Sequence, residues 1–132
     1  MVLPVLVILI FGIIDFGMGL RSYVALTNAT REGARFAAVG NDAGAFPGDC
    51  DGTSNTTTIG RVCTAANGLD LDALSSVSVS YPNGEAPGNS VIVSADYTYT
   101  FFTPLGDMVN FISAGSFDET LPLSSSTDMR LE

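Results

Sequence analysis

The stretch Met1–Gly40, MVLPVLVILIFGIIDFGMGLRSYVALTNATREGARFAAVG, decides how the rest of the chain is organised. Met1 to Ile14 are apolar or Gly/Pro and carry no charge. Asp15 interrupts the run, Leu20 closes it, and Arg21 begins a polar helical pattern. About 20 mostly apolar residues at ~1.5 Å per residue cross the ~30 Å hydrocarbon layer of a bilayer. The same length also suits the core helix of a filament. Residues 1–39 are therefore expected to form one continuous helix, with Pro4 in the first turn, where its missing N–H is harmless. Gly12, Gly17 and Gly19 each weaken a helix in water by about 1 kcal/mol relative to Ala, which marks a softened or closely packed stretch. No small-x-small cleavage site follows the run, and the helical pattern continues through the point where a cut would fall. The segment is read as retained, not as a cleaved secretory signal.

Beyond the bilayer length, Ala25, Ala29, Gly33 and Ala37 recur every four residues. Such a small-residue stripe lets another backbone approach closely, either the chain's own globular part or the helix of another subunit. Gly12 and Asp15 join this stripe as candidate helix–helix assembly positions. Arg21, Asn28, Arg31, Glu32 and Arg35 form a polar face, and Glu32 is spaced to pair with Arg35 at i,i+3. Asp15 stands out because a carboxylate in an apolar helix costs about 2.5–3.5 kcal/mol on insertion scales and normally has a partner. Two environments fit it: a basic or amino group of a neighbouring chain, or the lipid interface, hydrated or protonated.

Downstream, Gly40 suits the end of the helix. Asn41 to Thr58 is loop chemistry holding Cys50, and Ile59, Val62, Cys63 and Ala66 follow helical spacing. Two cysteines in an acidic, Gly/Ser-rich stretch behind a membrane segment read as one disulfide, Cys50–Cys63, outside the cytoplasm. Two thiols without histidine fall short of a zinc site. Asp49, Asp51 and Asn55 resemble half of a calcium loop, but a terminal glutamate is missing, and a solvated acidic turn is the expectation. Asn28-Ala29-Thr30 and Asn55-Thr56-Thr57 fit the N-glycosylation pattern; the first is expected to be packed away on the long helix.

Strand signals follow. Val77, Val79 and Tyr81 alternate with serines; PNGEAPGN, residues 82–89, is turn chemistry; Val91, Val93, Ala95, Tyr97, Tyr99 and Phe101 alternate with polar residues. Thr103-Pro104 suits a helix start, followed by Leu105, Met108, Val109 and Ile112. Leu121 to Leu131 alternates once more, with Pro122 pointing to an edge strand or to the start of a strand. The expected fold is α+β, with a long N-terminal hydrophobic helix (1–39) packed on a small three-stranded antiparallel sheet within an acidic head (40–132).

Charge narrows the function. From Ala38 onward two arginines face 12 acidic residues, a net of −10, so a nucleic-acid partner is excluded for want of a basic face. The chain has no histidine and no lysine. No nucleophile–base pair or phosphate loop emerges, and neither an enzyme nor a cofactor is expected.

The strings Val2-Leu3-Pro4, Phe11-Gly12-Ile13-Ile14-Asp15-Phe16-Gly17, Leu26-Thr27-Asn28-Ala29, Arg31-Glu32-Gly33-Ala34-Arg35 and Ala37-Ala38-Val39-Gly40 together resemble the TadE-like pilin family. Met129-Arg130-Leu131-Glu132 is similar to that family's last strand. The resemblance covers about forty residues and leaves the middle of the chain without a match. It implies a pilin or pseudopilin of the tight-adherence branch of type IV pili. The implied partners are copies of itself, other pilins, an inner-membrane assembly platform, a prepilin peptidase and, before assembly, membrane lipid. The implied location is the inner membrane with the head outside the cytoplasm, then an extracellular filament. The family's basic leader, cleavage site and glutamate precede the apolar run, so this sequence is expected to start inside that run. A permanent single-pass anchor with a partner-binding periplasmic head is the other reading.

Overall fold

The computed structural model describes residues 2–104, 107 and 120–132. The residues of the expected helical turn, Leu105, Met108, Val109 and Ile112, fall outside them. Helix α1 runs unbroken over Val2–Ala38 and is followed by Gly40 at φ +81°. Helix α2 spans Thr58–Ala65; the Thr57 side chain caps it by accepting from Gly60 N–H at 3.2 Å. A 3-10 turn at Leu71–Ala73, capped by Asp70, leads into strand β1, Leu74–Ser80. Strands β2 (Ser90–Thr100) and β3 (Thr120–Arg130) complete an antiparallel sheet in the order β1-β2-β3. The long helix on a three-stranded antiparallel sheet is the α+β arrangement anticipated from the pattern, and it is pilin-like, as the resemblance implies.

Alternation along β2 separates the two faces of the sheet. Val91, Val93, Ala95, Tyr97 and Tyr99 are buried under α1, whereas Ser94, Asp96 and Thr98 face outward. The outer face is laced by hydroxyl contacts between neighbouring strands, Ser75 with Thr98, Ser76 with Asp96 and Ser94 with Ser126, at 3.0, 2.7 and 3.0 Å. Strand β3 lies at an edge, where Pro122 costs little because one side of that strand needs no ladder partner.

The second half of α1 is the centrepiece of the core. Leu26, Ala29, Ala34 and Ala37 have no exposed surface, and they pack with Val62, Val91 and Val93. Gly33 permits the closest approach: a Cβ at that position would lie 2.2 Å from Val62 Cγ2. Ala29, Gly33 and Ala37, offered above as helix–helix assembly positions, are thus buried against the chain's own α2 and sheet; Ala25 is half-buried. Glu32 does not pair with Arg35. It receives the Arg61 guanidinium instead, at 2.9 Å, because α2 crosses directly over this turn of α1. Asn28, expected to be packed away, is exposed on the opposite side of the helix.

One contact between α1 and the sheet is polar. Thr30 Oγ1 lies 3.1 Å from both Ser125 Oγ and Thr127 Oγ1 and donates to Thr27 O at 3.0 Å or shares its proton with a neighbour. Such a buried hydroxyl cluster is tolerated because its members satisfy one another. At the far end, Glu132 N–H donates to Ala38 O at 2.9 Å and ties the last residue to the last turn of α1. Cys50 and Cys63 form a disulfide that staples the acidic loop to the inner face of α2.

Two measurements check this packing. Gly33→Ala should destabilise the full chain by about 1–3 kcal/mol through overpacking, and Val62→Ala in the same chain should recover much of that loss; urea unfolding of the single and double variants in detergent gives the coupling. Cys50→Ser with Cys63→Ser should cost about 3 kcal/mol for a loop of this length, read as a lowered unfolding midpoint.

Candidate functional site

Among the described residues, the first half of α1 has no globular partner along most of its length. Its most apolar 18-residue window has a mean hydropathy of 2.4 and only 11% of it is buried. The core helix of a soluble domain would be mostly covered. Here Val2, Leu3, Val5, Leu9, Ile13 and Phe16 are all more than half exposed. Burial of such side chains is worth roughly 1.5–3 kcal/mol each, so this surface demands an apolar environment outside the chain.

Asp15 marks where the free half of the helix meets the head, and it is 2% exposed. Its Oδ1 accepts from the backbone N–H of Phe102 and Thr103 at 3.0 and 3.2 Å, and the Thr103 hydroxyl donates to Oδ2. The partners come from the chain itself, from the segment that leaves β2, and not from a basic group. A buried carboxylate is expensive unless hydrogen-bonded, and three donors meet that requirement. Around it, Tyr99 OH donates to Asp15 O at 3.5 Å, and the Tyr99 ring lies 3.7 Å from where a Cβ on Gly19 would stand. Burial, reinforced by the Asp15 carboxylate, pushes the Tyr99 phenol above its usual range. Tyr99 meets Phe101 edge-on at 6.1 Å between centroids.

Beside this junction an apolar groove of about 460 Å³ opens between α1 and the ends of β2 and β3. Phe16, Leu20 and Tyr23 form one wall, and Tyr99, Phe101 and Leu123 the other; Gly12 and Asp15 sit at its edge. The free half of α1 and this groove form one continuous apolar surface. Phe102, next to the pinned backbone, is 78% exposed.

The remaining candidates divide. Arg21, Arg31 and Arg35 are exposed along α1. The calcium candidates do not converge. Asp49 Oδ2 accepts from Ala45 N–H at 2.7 Å, and Asp51 Oδ1 accepts from Thr53 and Ser54 N–H at 2.8 Å each. Those two N–H donors hold the Asp51 carboxyl below the usual carboxylate range. Asn55 turns toward Arg61, at 3.4 Å. Among the described residues no group of three or more His, Cys, Asp or Glu side chains gathers around a common point.

Sequence reasoning singled out Asp15 but missed its partners Phe102 and Thr103, because a backbone donor 87 residues away leaves no side-chain signal. It also missed the Thr27–Thr30–Ser125–Thr127 hydroxyl cluster. Its one trace is that Thr27 and Thr30 share the face of α1 that carries Ala34 and Ala37.

Comparison with known proteins gives one match. The family model described as TadE-like protein matches residues 1–35, which is nearly all of α1 and none of the sheet. No curated protein and no solved structure matches the chain.

Asp15→Ala should release the residue 102–103 backbone. Losing hydrogen bonds to a charged acceptor should cost about 1.5–3 kcal/mol, read as faster amide exchange at Phe102 and Thr103 by mass spectrometry, with exchange in β1 unchanged.

Proposed function

We propose, from the TadE-like match over residues 1–35 taken together with the fold, that the chain is a structural, pilin-like subunit of an extracellular Tad-like type IV pilus. It waits in the inner membrane with its acidic head outside the cytoplasm, and it polymerises through α1. The observation that carries this reading is the continuity of α1. One unbroken helix of 37 residues is a bare apolar rod at one end and the core element of a folded domain at the other. A rod so attached transmits any position it takes, in lipid or among other rods, directly to the head.

The energetics of exchange support assembly. Lipid tails are as apolar as Leu and Ile side chains, so leaving the bilayer for a bundle of helices need not lose hydrophobic free energy. Preference then comes from packing and from polar contacts outside the hydrocarbon. The disulfide supports an oxidising compartment for the head. The partners implied are further copies of this chain, other pilins, the inner-membrane assembly platform and a prepilin peptidase.

Shearing filaments from cells that produce the chain and identifying their components by intact-mass spectrometry tests the reading. The chain should appear in the filament fraction with Cys50 and Cys63 oxidised. Recovery only from membranes, with filaments present but lacking it, would refute the subunit role in favour of a permanent anchor that binds a partner through its head.

A further inference from the structure

The head does not stop where the apolar part of α1 stops. On the helix, the apolar run ends at Leu20 and the polar pattern begins at Arg21. Asp15 stands six residues before Arg21, about 9 Å lower along the axis. Its carboxylate holds the backbone of Phe102 and Thr103 at that lower level. The base of the head is thus level with the apolar rod, and its surface suits that level. Beyond α1, the exposed large apolar side chains among the described residues are Val39, Phe102 and Leu121. Val39 follows the upper end of the helix. The other two stand at the base, Phe102 beside Asp15 and Leu121 along the apolar groove.

Phe16, Leu20 and Tyr23 continue this surface on the helix side of the groove, and all three are exposed. Asp15 is the one charged residue lining the groove, and its carboxylate is buried and hydrogen-bonded. In water, the base would present a continuous apolar patch to solvent, which soluble monomers rarely do. The first exposed charge along α1 is Arg21. Its guanidinium lies 3.8 Å from where a Cβ on Gly68 would stand, and it shares a small cleft with Ser22 and Asn67. Among the described residues it has no ion pair. From Phe102 upward the order is therefore apolar first, then arginine and the exposed Tyr23. Across a leaflet the order is the same, with acyl chains inside and tyrosine and arginine favoured at the headgroups. A protein partner requires no such grading with height, and a bilayer does.

We propose that the base of the head is itself a lipid-binding surface. Phe102 enters the acyl region of the leaflet on the head's side, and the groove between α1 and the ends of β2 and β3 holds the acyl chain of a membrane lipid. Arg21 and Tyr23 lie at the headgroups. The buried, hydrogen-bonded state of Asp15 is what lets a carboxylate sit at this depth. The proposal rests on the reading of the chain as a subunit held in a membrane, and it makes membrane contact a property of the head as well as of the helix.

The chain has no tryptophan, so a single introduced one reports alone. The full chain carrying Phe102→Trp, Phe16→Trp or Asn83→Trp is reconstituted in phosphatidylcholine vesicles, with and without bromine on the acyl chains. Phe102 and Phe16 are exposed aromatic positions, and Asn83 lies in the β1–β2 turn at the other end of the sheet, so each variant keeps the fold. An element sunk ~5–10 Å into the acyl boundary should lose about half its emission to bromine. Positions 16 and 102 should both do so and position 83 should not. In unaltered chain, phosphatidylcholine with a photoactivatable acyl chain should label Leu121, Leu123 or Tyr23 in the groove and spare Ser94 and Ser126 on the outer sheet face. Quenching at position 16 without quenching at 102 would overturn the proposal and leave the membrane-held subunit reading intact. Emission at 102 that changes with chain density but not with bromine would place a second copy there and overturn it too. Quenching at neither position would remove the membrane reading along with the proposal. Quenching at 102 and groove labelling in a chain never found in filaments would keep the lipid surface and remove the subunit reading.

Discussion

The structure depends on a single helix having to satisfy two surroundings at once. Over Val2–Ile14 the side chains of α1 are apolar on every side, as a segment in lipid or in a helical bundle requires. Over Leu26–Ala38 they are small and apolar on one side only, as a helix laid on a sheet requires. The change happens within about three turns, and Asp15 sits at its start. Its carboxylate grips the backbone just past β2, so the end of the sheet is tied to the helix where the covering domain stops.

Small residues on α1 have a role inside the chain before they have any outside it. Gly33 brings the helix backbone against Val62, and Ala29 and Ala37 continue that close contact along the same side. This puts α2 across Glu32, which is why Arg61 takes the pairing that helical spacing alone assigns to Arg35. The consequence is electrostatic as well as steric. With Glu32 engaged by Arg61, Arg31 and Arg35 stay exposed on α1 with no ion pair among the described residues.

The head is built economically for a core of modest size. Three strands and one short helix close over half of α1, and the disulfide holds the acidic loop that would otherwise be the longest unconstrained segment of the described chain. The outer sheet face is mostly Ser and Thr with Asp96, Asp128 and Arg130, joined by hydroxyl contacts, and Ile92 and Pro122 are its apolar members among the described residues of β2 and β3. A polar outer face suits a surface that meets water.

Local periodicity alone determined a good deal. The bounds of α1 and the positions of α2 and the three strands follow from residue spacing, because each is set by neighbours in sequence, and the disulfide follows from there being just two cysteines. The match over residues 1–35 lies entirely within that legible part. What tertiary structure decided was which side of each element faces what. Helical spacing put Ala29, Gly33 and Ala37 on one stripe but could not say whether the backbone approaching it belonged to the same chain. Asp15 announced that it needed a partner, yet main-chain N–H groups are present at nearly every residue, and only the fold selects Phe102 and Thr103. Glu32 could pair with Arg35 by helical spacing, and only the fold hands it to Arg61. Contacts between residues distant in sequence are choices among many chemically equivalent candidates, and packing is what chooses.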